Sequence, residues 1–307
     1  MNMRMVQAKP FLKWAGGKGQ LIEQMSHFFP QELKLGKVKN YVEPFIGSGA
    51  VFFHIAQSYK VEKYFISDIN EELVLAYQTL CADVDSVIDV LAEMQHAYYQ
   101  LSGEEQKSFF YETRAQFNTK RPKIDFSKFD SAWITRTAQL IFLNRTCFNG
   151  LFRVNANAGF NVPFGRYKNP KICATDNLRK ISKLLQNTEI IWGSFQSCES
   201  FVDEQTFVYF DPPYRPISST SSFTTYSNFN FDDQAQLDLT AFFQKLDQRG
   251  AQLMLSNSDP KNNDPDDNFF EQAYQGYRIE RVRASRMINC DAKKRGQLNE
   301  LLVMNYR

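Results

Sequence analysis

Residues 207–214 have the sequence FVYFDPPY, in which four β-forming and aromatic residues precede an acid, two prolines and a tyrosine. The apolar run predicts a buried strand, and the prolines end it because neither ring can donate a hydrogen bond to a neighbouring strand. Pro212 also biases Asp211 toward extended backbone, so we expect its carboxylate at the carboxyl end of the strand. Ligands of open α/β sheets bind at that edge, and the segment therefore predicts a ligand site.

The groups that Asp211, Pro212 and Tyr214 provide suit methylation of an exocyclic amine. The amine of adenine is a poor nucleophile because its lone pair is delocalised into the ring. If the Asp211 carboxylate and the Pro212 carbonyl accept its two hydrogens, the nitrogen can become pyramidal and direct its lone pair at a methyl donor. Tyr214 would stack on the base. An ordinary strand end with a Pro-Pro turn is the alternative that these residues alone leave open.

Length and composition indicate a globular protein. The 307 residues are 43% hydrophobic, which suits one large domain or two moderate ones. No apolar run approaches the length of a membrane span, and residues 1–5 lack a signal-peptide core. The five cysteines are scattered singly and odd in number, so we expect a reduced, cytoplasmic protein. The spacing of the cysteines and three histidines predicts no metal site.

The charge of the chain is unevenly distributed. Residues 118–180 contain 12 Lys and Arg against three Asp and Glu, a local balance of +9. Because the net charge is +2, the remainder carries −7. A basic middle in a mildly acidic chain predicts a module that faces nucleic acid, with a merely solvated basic face as the alternative.

Residues 11–18, FLKWAGGK, precede an amphipathic stretch at 20–29 that is predicted to be helical. A Gly-Gly-Lys sequence entering a helix resembles a phosphate cradle, but the full phosphate-loop spacing is absent. Trp14 and Lys18 remain as an aromatic face and a cation beside a turn. Such a pair suits an adenine ring and a carboxylate, both of which S-adenosylmethionine contains.

A strand, a glycine loop and a helix follow at residues 40–45, 46–49 and 50–56. This is the first unit of a dinucleotide-type fold, in which glycines such as Gly47 and Gly49 let a cofactor approach the backbone. A second strand at 64–70 contains Asp68, an acid placed to bind ribose hydroxyls. The loop has no third glycine at the fingerprint position, which disfavours a nicotinamide cofactor and favours a methyl donor.

The rest of the chain alternates helices, strands and loops. Residues 71–142 are predicted to be mostly helical, with loops within 104–130. Two apolar arms around a glycine turn at 144–167 predict a β-hairpin that carries Arg153 and Arg166 among aromatics, as in base-reading elements. A hairpin whose exposed arginines have no role in base reading is an equally supported alternative. Further predictions are a loop over the site at 218–231, a helix at 231–246, strands at 251–258, 277–287 and 298–305, and a basic turn at 289–296.

Six motifs occur in a fixed order: KWAGGK, EPFIGSG, SDIN, NGLFR, FNVPFGRY and DPPY. Together they make the chain resemble the Dam-type (D12 class) DNA adenine N6-methyltransferases, including those of restriction–modification systems, over nearly its whole length. The resemblance implies an α/β fold with a doubly wound methyltransferase core. It also implies a helical plus β-hairpin target-recognition domain inserted before the catalytic strand. The implied division is 1–75 and 185–307 for the core and 76–184 for the insert.

The same resemblance implies roles for individual residues. Arg153 is the expected reader of a guanine in the family's usual GATC site. Phe148 is the expected intercalating wedge, although some relatives carry tyrosine there. The implied donor contacts are Trp14, Lys18, Gly47, Gly49, Asp68 and Asp211, the base site is Asp211, Pro212 and Tyr214, and the DNA contacts are Phe148, Asn149, Leu151, Arg153, Pro163 and Arg166.

The resulting hypothesis is an enzyme that methylates an adenine extruded from double-stranded DNA, with S-adenosylmethionine as the donor. It would act as a monomer or weak dimer, either protecting DNA beside a partner restriction endonuclease or acting as a Dam-like methylase. An N4-cytosine enzyme stays open, although Asp rather than Ser before Pro-Pro-Tyr favours adenine by resemblance. A C5-cytosine enzyme is rejected because the chain has no Pro-Cys pair. A non-enzymatic DNA-binding regulator would not need Trp14, the glycine loop, Asp68 and Asp211 together.

Overall fold

A computed structural model describes residues 7–14, 16–215, 231–285 and 297–307. Within these ranges the chain forms one seven-stranded sheet with helices on both faces. The strands are β1 (Asn40–Glu43), β2 (Lys63–Asp68), β3 (Thr188–Trp192), β4 (Thr206–Phe210), β5 (Gln252–Ser258), β6 (Arg278–Ser285) and β7 (Gln297–Met304). The α-helices are α1 (Ile22–His27), α2 (Gln31–Lys34), α3 (Ala50–Ser58), α4 (Glu71–Ala82), α5 (Val84–Gln100), α6 (Gly103–Lys120), α7 (Ser131–Thr146), α8 (Thr175–Leu185), α9 (Asp233–Asp247) and α10 (Phe269–Ala273).

The strand order is β3-β2-β1-β4-β5-β7-β6. The first five strands in this order are parallel, and β7 runs antiparallel to both of its neighbours. The order reverses between β1 and β4, which are adjacent in the sheet although far apart in the chain. Such a switch point opens a crevice at the carboxyl ends of the strands, and Asp211 directly follows β4 there.

Side chains of the central strand alternate between two hydrophobic cores. Phe207 and Tyr209 pack into the core that includes residues of the helices α3 to α8. Val208 and Phe210 pack into the second core, with α9 and α10. All four residues are fully buried, and each large side chain contributes about 1.5–3 kcal/mol by leaving water. The doubly wound α/β class predicted from the sequence is confirmed.

The strands predicted around residues 40–45, 64–70, 207–210, 251–258 and 298–305 are present, as is the strand at 277–287 up to residue 285. The predictions for 218–230 and 289–296 lie outside the described residues, as do residues 1–5. Strand β3 was missed because it is short and half exposed on both faces, with Trp192 57% exposed. No helix in the described ranges has the length and apolar character needed to cross a membrane.

The loops predicted within 104–130 lie after residue 120, because α6 is continuous up to that residue. The Glu105 carboxylate accepts a hydrogen bond from the backbone N–H of Ser102 at 2.8 Å, which caps the start of the helix. Phe110 and Phe117 are buried on one face. Local capping and burial therefore outweigh the polar composition, and irregular backbone occupies much of 121–130.

The predicted hairpin has antiparallel arms but no continuous ladder. Its arms pair at two isolated bridges, Cys147↔Phe164 and Val154↔Phe160. A 3-10 turn at Phe148–Gly150 interrupts the first arm. Pro163 has no N–H for a ladder, although its carbonyl accepts a hydrogen bond from Phe148 N at 2.8 Å. These features replace the regular strands that the alternating pattern predicted.

Candidate active site

The carboxylate of Asp211 is paired with a buried lysine. Lys18 begins the 3-10 turn Lys18–Gln20, and its Nζ lies 2.7 Å from Asp211 Oδ1. The same Nζ donates to the Gly16 carbonyl at 2.9 Å and lies 4.6 Å from the centre of the Tyr214 ring. Lys18 is 3% exposed, so its charge needs these partners. The fold thus joins the first and last motifs of the sequence.

Two residues that the sequence analysis did not select also contact this cluster. Ser256 on β5 donates to Asp211 Oδ1 at 3.0 Å. Glu300 on β7 accepts a hydrogen bond from the Tyr214 hydroxyl at 2.5 Å. Burial, followed by the charges of Asp211 and Glu300, raises the pKa of Tyr214 well above its ordinary value. Tyr214 therefore stays protonated and its hydroxyl is held as a donor.

The carbonyl groups of the two prolines in the motif differ in their hydrogen bonding. Pro213 O accepts a hydrogen bond from Gln236 Nε2 at 3.0 Å, and Asn257 Nδ2 in turn donates to Gln236 Oε1. Within the described part of the chain no group donates to Pro212 O. Pro212 itself is buried, so its carbonyl is an acceptor that a ligand bound beside Asp211 would satisfy.

Asp68 at the end of β2 organises the glycine loop. Its Oδ2 accepts from Gly47 N at 3.1 Å and its Oδ1 accepts from Asn70 N at 2.9 Å. Burial raises the pKa of Asp68, while these backbone donors oppose the rise. Gly49 has φ 73° before α3, and a Cβ there would lie 2.6 Å from the Tyr77 hydroxyl oxygen. Only glycine fits this tight turn.

Trp14 lies between the glycine loop and the insert. Its ring stacks on Phe152 with centroids 5.1 Å apart and an interplanar angle of 20°. A Cβ on Gly47 would approach Trp14 Cδ1 to 3.2 Å. The predicted donor residue therefore contacts both the loop after β1 and the segment that carries Arg153.

Glu43, at the end of β1, is a third residue that the sequence analysis did not select. It is 2% exposed and accepts a hydrogen bond from the Tyr41 hydroxyl at 2.6 Å. Burial raises its pKa well above the ordinary value; the Tyr41 bond opposes the rise and the Asp211 charge adds to it. An acid in the strand that leads into the glycine loop was the signal available in the sequence.

The hairpin residues differ in exposure and backbone geometry. Arg153 is exposed, and its Nε donates to Asn161 Oδ1 at 2.8 Å. Phe148 is 51% exposed. Asn149 and Arg166 have φ values of 56° and 52°, in the left-handed region. Pro163 and Arg166 are exposed, and Leu151 is half-buried.

Asn144 connects this hairpin to the amino-terminal segment. Its Oδ1 accepts from Lys13 N at 2.8 Å, and its Nδ2 donates to the carbonyls of Lys13 and Gly150 at 2.9 Å each. Arg145 donates to the Phe11 carbonyl at 2.7 Å. The NGLFR motif and the KWAGGK motif are thus parts of one structural unit.

Some of the basic residues in 118–180 form ion pairs within the protein. Arg136 is buried and bonded through Nε to Glu72 at 2.6 Å, and Arg121 pairs with Glu71 and Glu72. The remaining charge is mostly at the surface. Seven residues are exposed and form no ion pair with a described residue: Lys120, Lys123, Lys128, Arg153, Arg166, Lys168 and Lys171.

Comparison with known proteins agrees with this arrangement. A family model of the D12 class N6 adenine-specific DNA methyltransferases matches residues 14–288. The Type II methyltransferase M.MjaIII of Methanocaldococcus jannaschii is 49% identical over 98% of this chain and 100% of its own length. The Type II methyltransferase M1.LlaDCHI of Lactococcus lactis subsp. cremoris is 34% identical over 98% of this chain and 96% of its own.

A DNA adenine methylase of Haemophilus influenzae is 31% identical over 96% of this chain and 93% of its own length. The matches span nearly the whole chain, so they cover the glycine loop, the hairpin and the DPPY segment. The chain belongs to the D12 class of N6 adenine-specific DNA methyltransferases.

Proposed function

We propose that this enzyme transfers a methyl group from S-adenosylmethionine to N6 of an adenine at a specific site in double-stranded DNA. The observation that carries the proposal is the pair of acceptors after β4. The Asp211 carboxylate and the Pro212 carbonyl are adjacent, and no described residue donates to Pro212 O. Tyr214 presents its ring beside them. Two acceptors and an aromatic face match an adenine amine and its ring.

These residues would act on the amine rather than on the donor. Asp211 and Pro212 accept the two N–H hydrogens, and the nitrogen lone pair is then free to form the new N–C bond. S-adenosylmethionine supplies the methyl group on a sulfonium, whose sulfur keeps the electron pair of the broken C–S bond. The Asp211 carboxylate stabilises the positive charge that the nitrogen gains. The surplus proton of the amine then passes to solvent.

The residues around the glycine loop fit such a donor. Asp68 is half-buried at the end of the second strand, where a carboxylate can accept hydrogen bonds from ribose hydroxyls. The glycine at position 49, with φ 73° and with Tyr77 and Phe53 against its Cβ position, keeps the loop before α3 tight. We propose as the donor contacts Trp14, Lys18, Gly47, Gly49, Asp68 and Asp211.

The position of Asp211 favours a mechanism in which the adenine leaves the duplex. Its side chain is 20% exposed, at the edge of the sheet. An amine inside a stacked duplex cannot reach such a group, so the base would be flipped out and stacked on Tyr214. Unstacking costs a few kcal/mol, which base stacking and phosphate contacts would offset. We propose the exposed ring of Phe148 as the wedge that fills the vacated space.

We propose that residues 76–184 recognise the DNA sequence. The five unpaired lysines of that set would contact phosphates, and Arg153 would read a guanine. Asn149, Leu151, Pro163 and Arg166 complete the proposed contacts with the bases. The family resemblance favours GATC as the site, and the names of two Type II relatives favour a role beside a restriction endonuclease.

A methyl-transfer assay tests the proposal. The purified protein is incubated with S-adenosylmethionine labelled in the methyl group and with matched duplexes that contain GATC or a permuted site. We expect label only in the GATC duplex, recovered as N6-methyladenine after digestion to nucleosides. Label in N4-methylcytosine would favour the cytosine alternative, and DNA binding without transfer would favour the regulator. Sequencing of methylated bases in a host that expresses the chain would define the site.

A further inference from the structure

The two carboxylate oxygens of Asp211 have different surroundings. Oδ1 accepts a hydrogen bond from Ser256 Oγ at 3.0 Å and faces Lys18 Nζ at 2.7 Å. Within the described ranges no group donates to Oδ2. The side chain is 20% exposed, so a ligand at the sheet edge can reach it. Oδ2 is therefore the oxygen left for a bound base.

Ser256 is in turn held by a second hydroxyl group. Tyr209 OH lies 2.8 Å from Ser256 Oγ, and both residues are fully buried. A serine hydroxyl has one hydrogen, and Ser256 gives it to Asp211 because an ionised carboxylate only accepts. Tyr209 must then donate to Ser256. Burial, followed by the Asp211 charge, raises the pKa of Tyr209 well above its ordinary value, so this hydrogen stays in place.

The sheet explains why these groups meet. Strands β4 and β5 pair in parallel with Phe210 opposite Leu255, so the next positions, Asp211 and Ser256, are neighbours. Tyr209 precedes Asp211 by two residues, so the two side chains lie on the same face of the sheet. Lys18 comes from a separate turn, outside the sheet. The carboxylate thus has a hydrogen-bond donor and an ion-pair partner that belong to independent elements.

We propose that Ser256, supported by Tyr209, is a positioning residue that fixes the orientation of the Asp211 carboxylate, so that Oδ2 accepts the hydrogen bond from the adenine amine. The proposal rests on the proposed methyl transfer to adenine. The final torsion of an aspartate is broad and nearly two-fold, so the ion pair with Lys18 alone leaves the carboxylate free to pivot. The hydrogen bond from Ser256 to the same oxygen fixes its plane.

The arrangement also separates charges during the reaction. The Lys18 ammonium is 2.7 Å from Oδ1, and the amine nitrogen gains positive charge as the methyl group arrives. Placing the amine at Oδ2 increases its distance from the ammonium and keeps it in contact with the carboxylate. The effect belongs to the chemical step, because phosphate contacts contribute most of the DNA affinity.

The test compares Ser256→Ala, Tyr209→Phe and the double variant in the full-length enzyme. Single-turnover rates are measured at saturating donor and DNA, together with the dissociation constants of both. We expect Ser256→Ala to lower the rate by about 10-fold to 100-fold, which is the size of the rate loss that a misplaced catalytic group causes. The dissociation constants should be unchanged. Tyr209→Phe should have a smaller effect that disappears in the Ser256→Ala background, because Tyr209 acts through Ser256.

Two further variants complete the experiment. Thr79→Val removes another fully buried hydroxyl, which donates to the Leu75 carbonyl on α4, and should keep the parental rate. Ser256→Thr keeps the hydroxyl and should be faster than Ser256→Ala. A folded Ser256→Ala enzyme with the parental rate, or one that loses only affinity, would overturn the positioning role. If Ser256→Ala does not fold, a parental rate for Tyr209→Phe overturns it. If the parent transfers no methyl group, the proposed function itself is wrong.

Discussion

Lys18 Nζ lies 2.7 Å from Asp211 Oδ1, and the two side chains are 4% and 20% exposed. The lysine comes from the turn before α1 and the aspartate from the end of β4. Each charge offsets the desolvation of the other, because a buried charge is tolerated only when it is paired. This contact ties the amino-terminal motif to the DPPY motif.

We expect Lys18→Met to destabilise the fold, because it leaves the Asp211 carboxylate uncompensated. Breaking a fully buried pair costs about 3–5 kcal/mol, and the partial exposure of Asp211 reduces that value here. The unfolding free energy, measured in urea, should recover in part when Asp211→Asn is added. Lys39→Met removes the exposed pair with Glu62 and should change it by less than about 1 kcal/mol. Equal losses in the two single variants would contradict this account.

Asp211→Asn should act mainly on the chemical step. The amide keeps one acceptor oxygen but removes the negative charge that faces the methylated amine. At saturating donor, the single-turnover rate should fall by about two orders of magnitude or more, the scale of losing one preorganised electrostatic partner. DNA affinity should change far less, since phosphate contacts dominate it. A rate close to that of the parent would remove the carboxylate from the mechanism.

Asp68→Ala should weaken the binding of S-adenosylmethionine by at least about tenfold, the scale of one charge-assisted hydrogen bond. The variant also loses the bonds that Asp68 accepts from Gly47 N and Asn70 N. Titration calorimetry measures the affinity, with the exposed Asp85→Ala as the control for loss of a surface charge. Unchanged donor affinity would show that Asp68 has no part in the donor site.

Arg153→Ala should relax the base preference at one position of the recognition site. A bidentate contact with guanine provides about 1–3 kcal/mol of discrimination. The measurement compares methylation rates across duplexes substituted at each base pair. Lys168→Ala, in the same insert, removes an exposed cation and should weaken all duplexes alike. A uniform loss for Arg153→Ala would make it a phosphate contact instead.

Glu43 should make stability decrease as the pH rises. Burial raises its pKa well above the ordinary 4.5, so between the two values the folded protein keeps a proton that the unfolded chain releases. The unfolding free energy therefore falls through that interval, because the native state binds more protons. Glu43→Gln should lack this contribution and gain stability over the parent toward alkaline pH. Urea unfolding at several pH values measures both curves, and parallel curves would contradict the prediction.

Local patterns were sufficient for most of the sheet but not for α6 and the hairpin. Strand β4 is a short apolar run bounded by prolines, and burial on both faces makes such a run a strand in any α/β context. The end of helix α6 was not located within 104–130, because its polar composition hides the few buried aromatics and the cap at Ser102. The hairpin has no regular ladder because the turn at Asn149 and the ring of Pro163 interrupt its arms. Alternating residue types did not predict these interruptions, which depend on backbone geometry.

The sequence by itself determined the fold class, the family and the order of the motifs, because these are properties of residues that are close together in the chain. It also indicated Asp68 and Asp211 at strand ends, since a strand and its terminator are local. Only the tertiary structure decided which groups surround Asp211. Lys18, Ser256 and Glu300 reach the site from different elements, and contacts between distant residues follow from strand order and register.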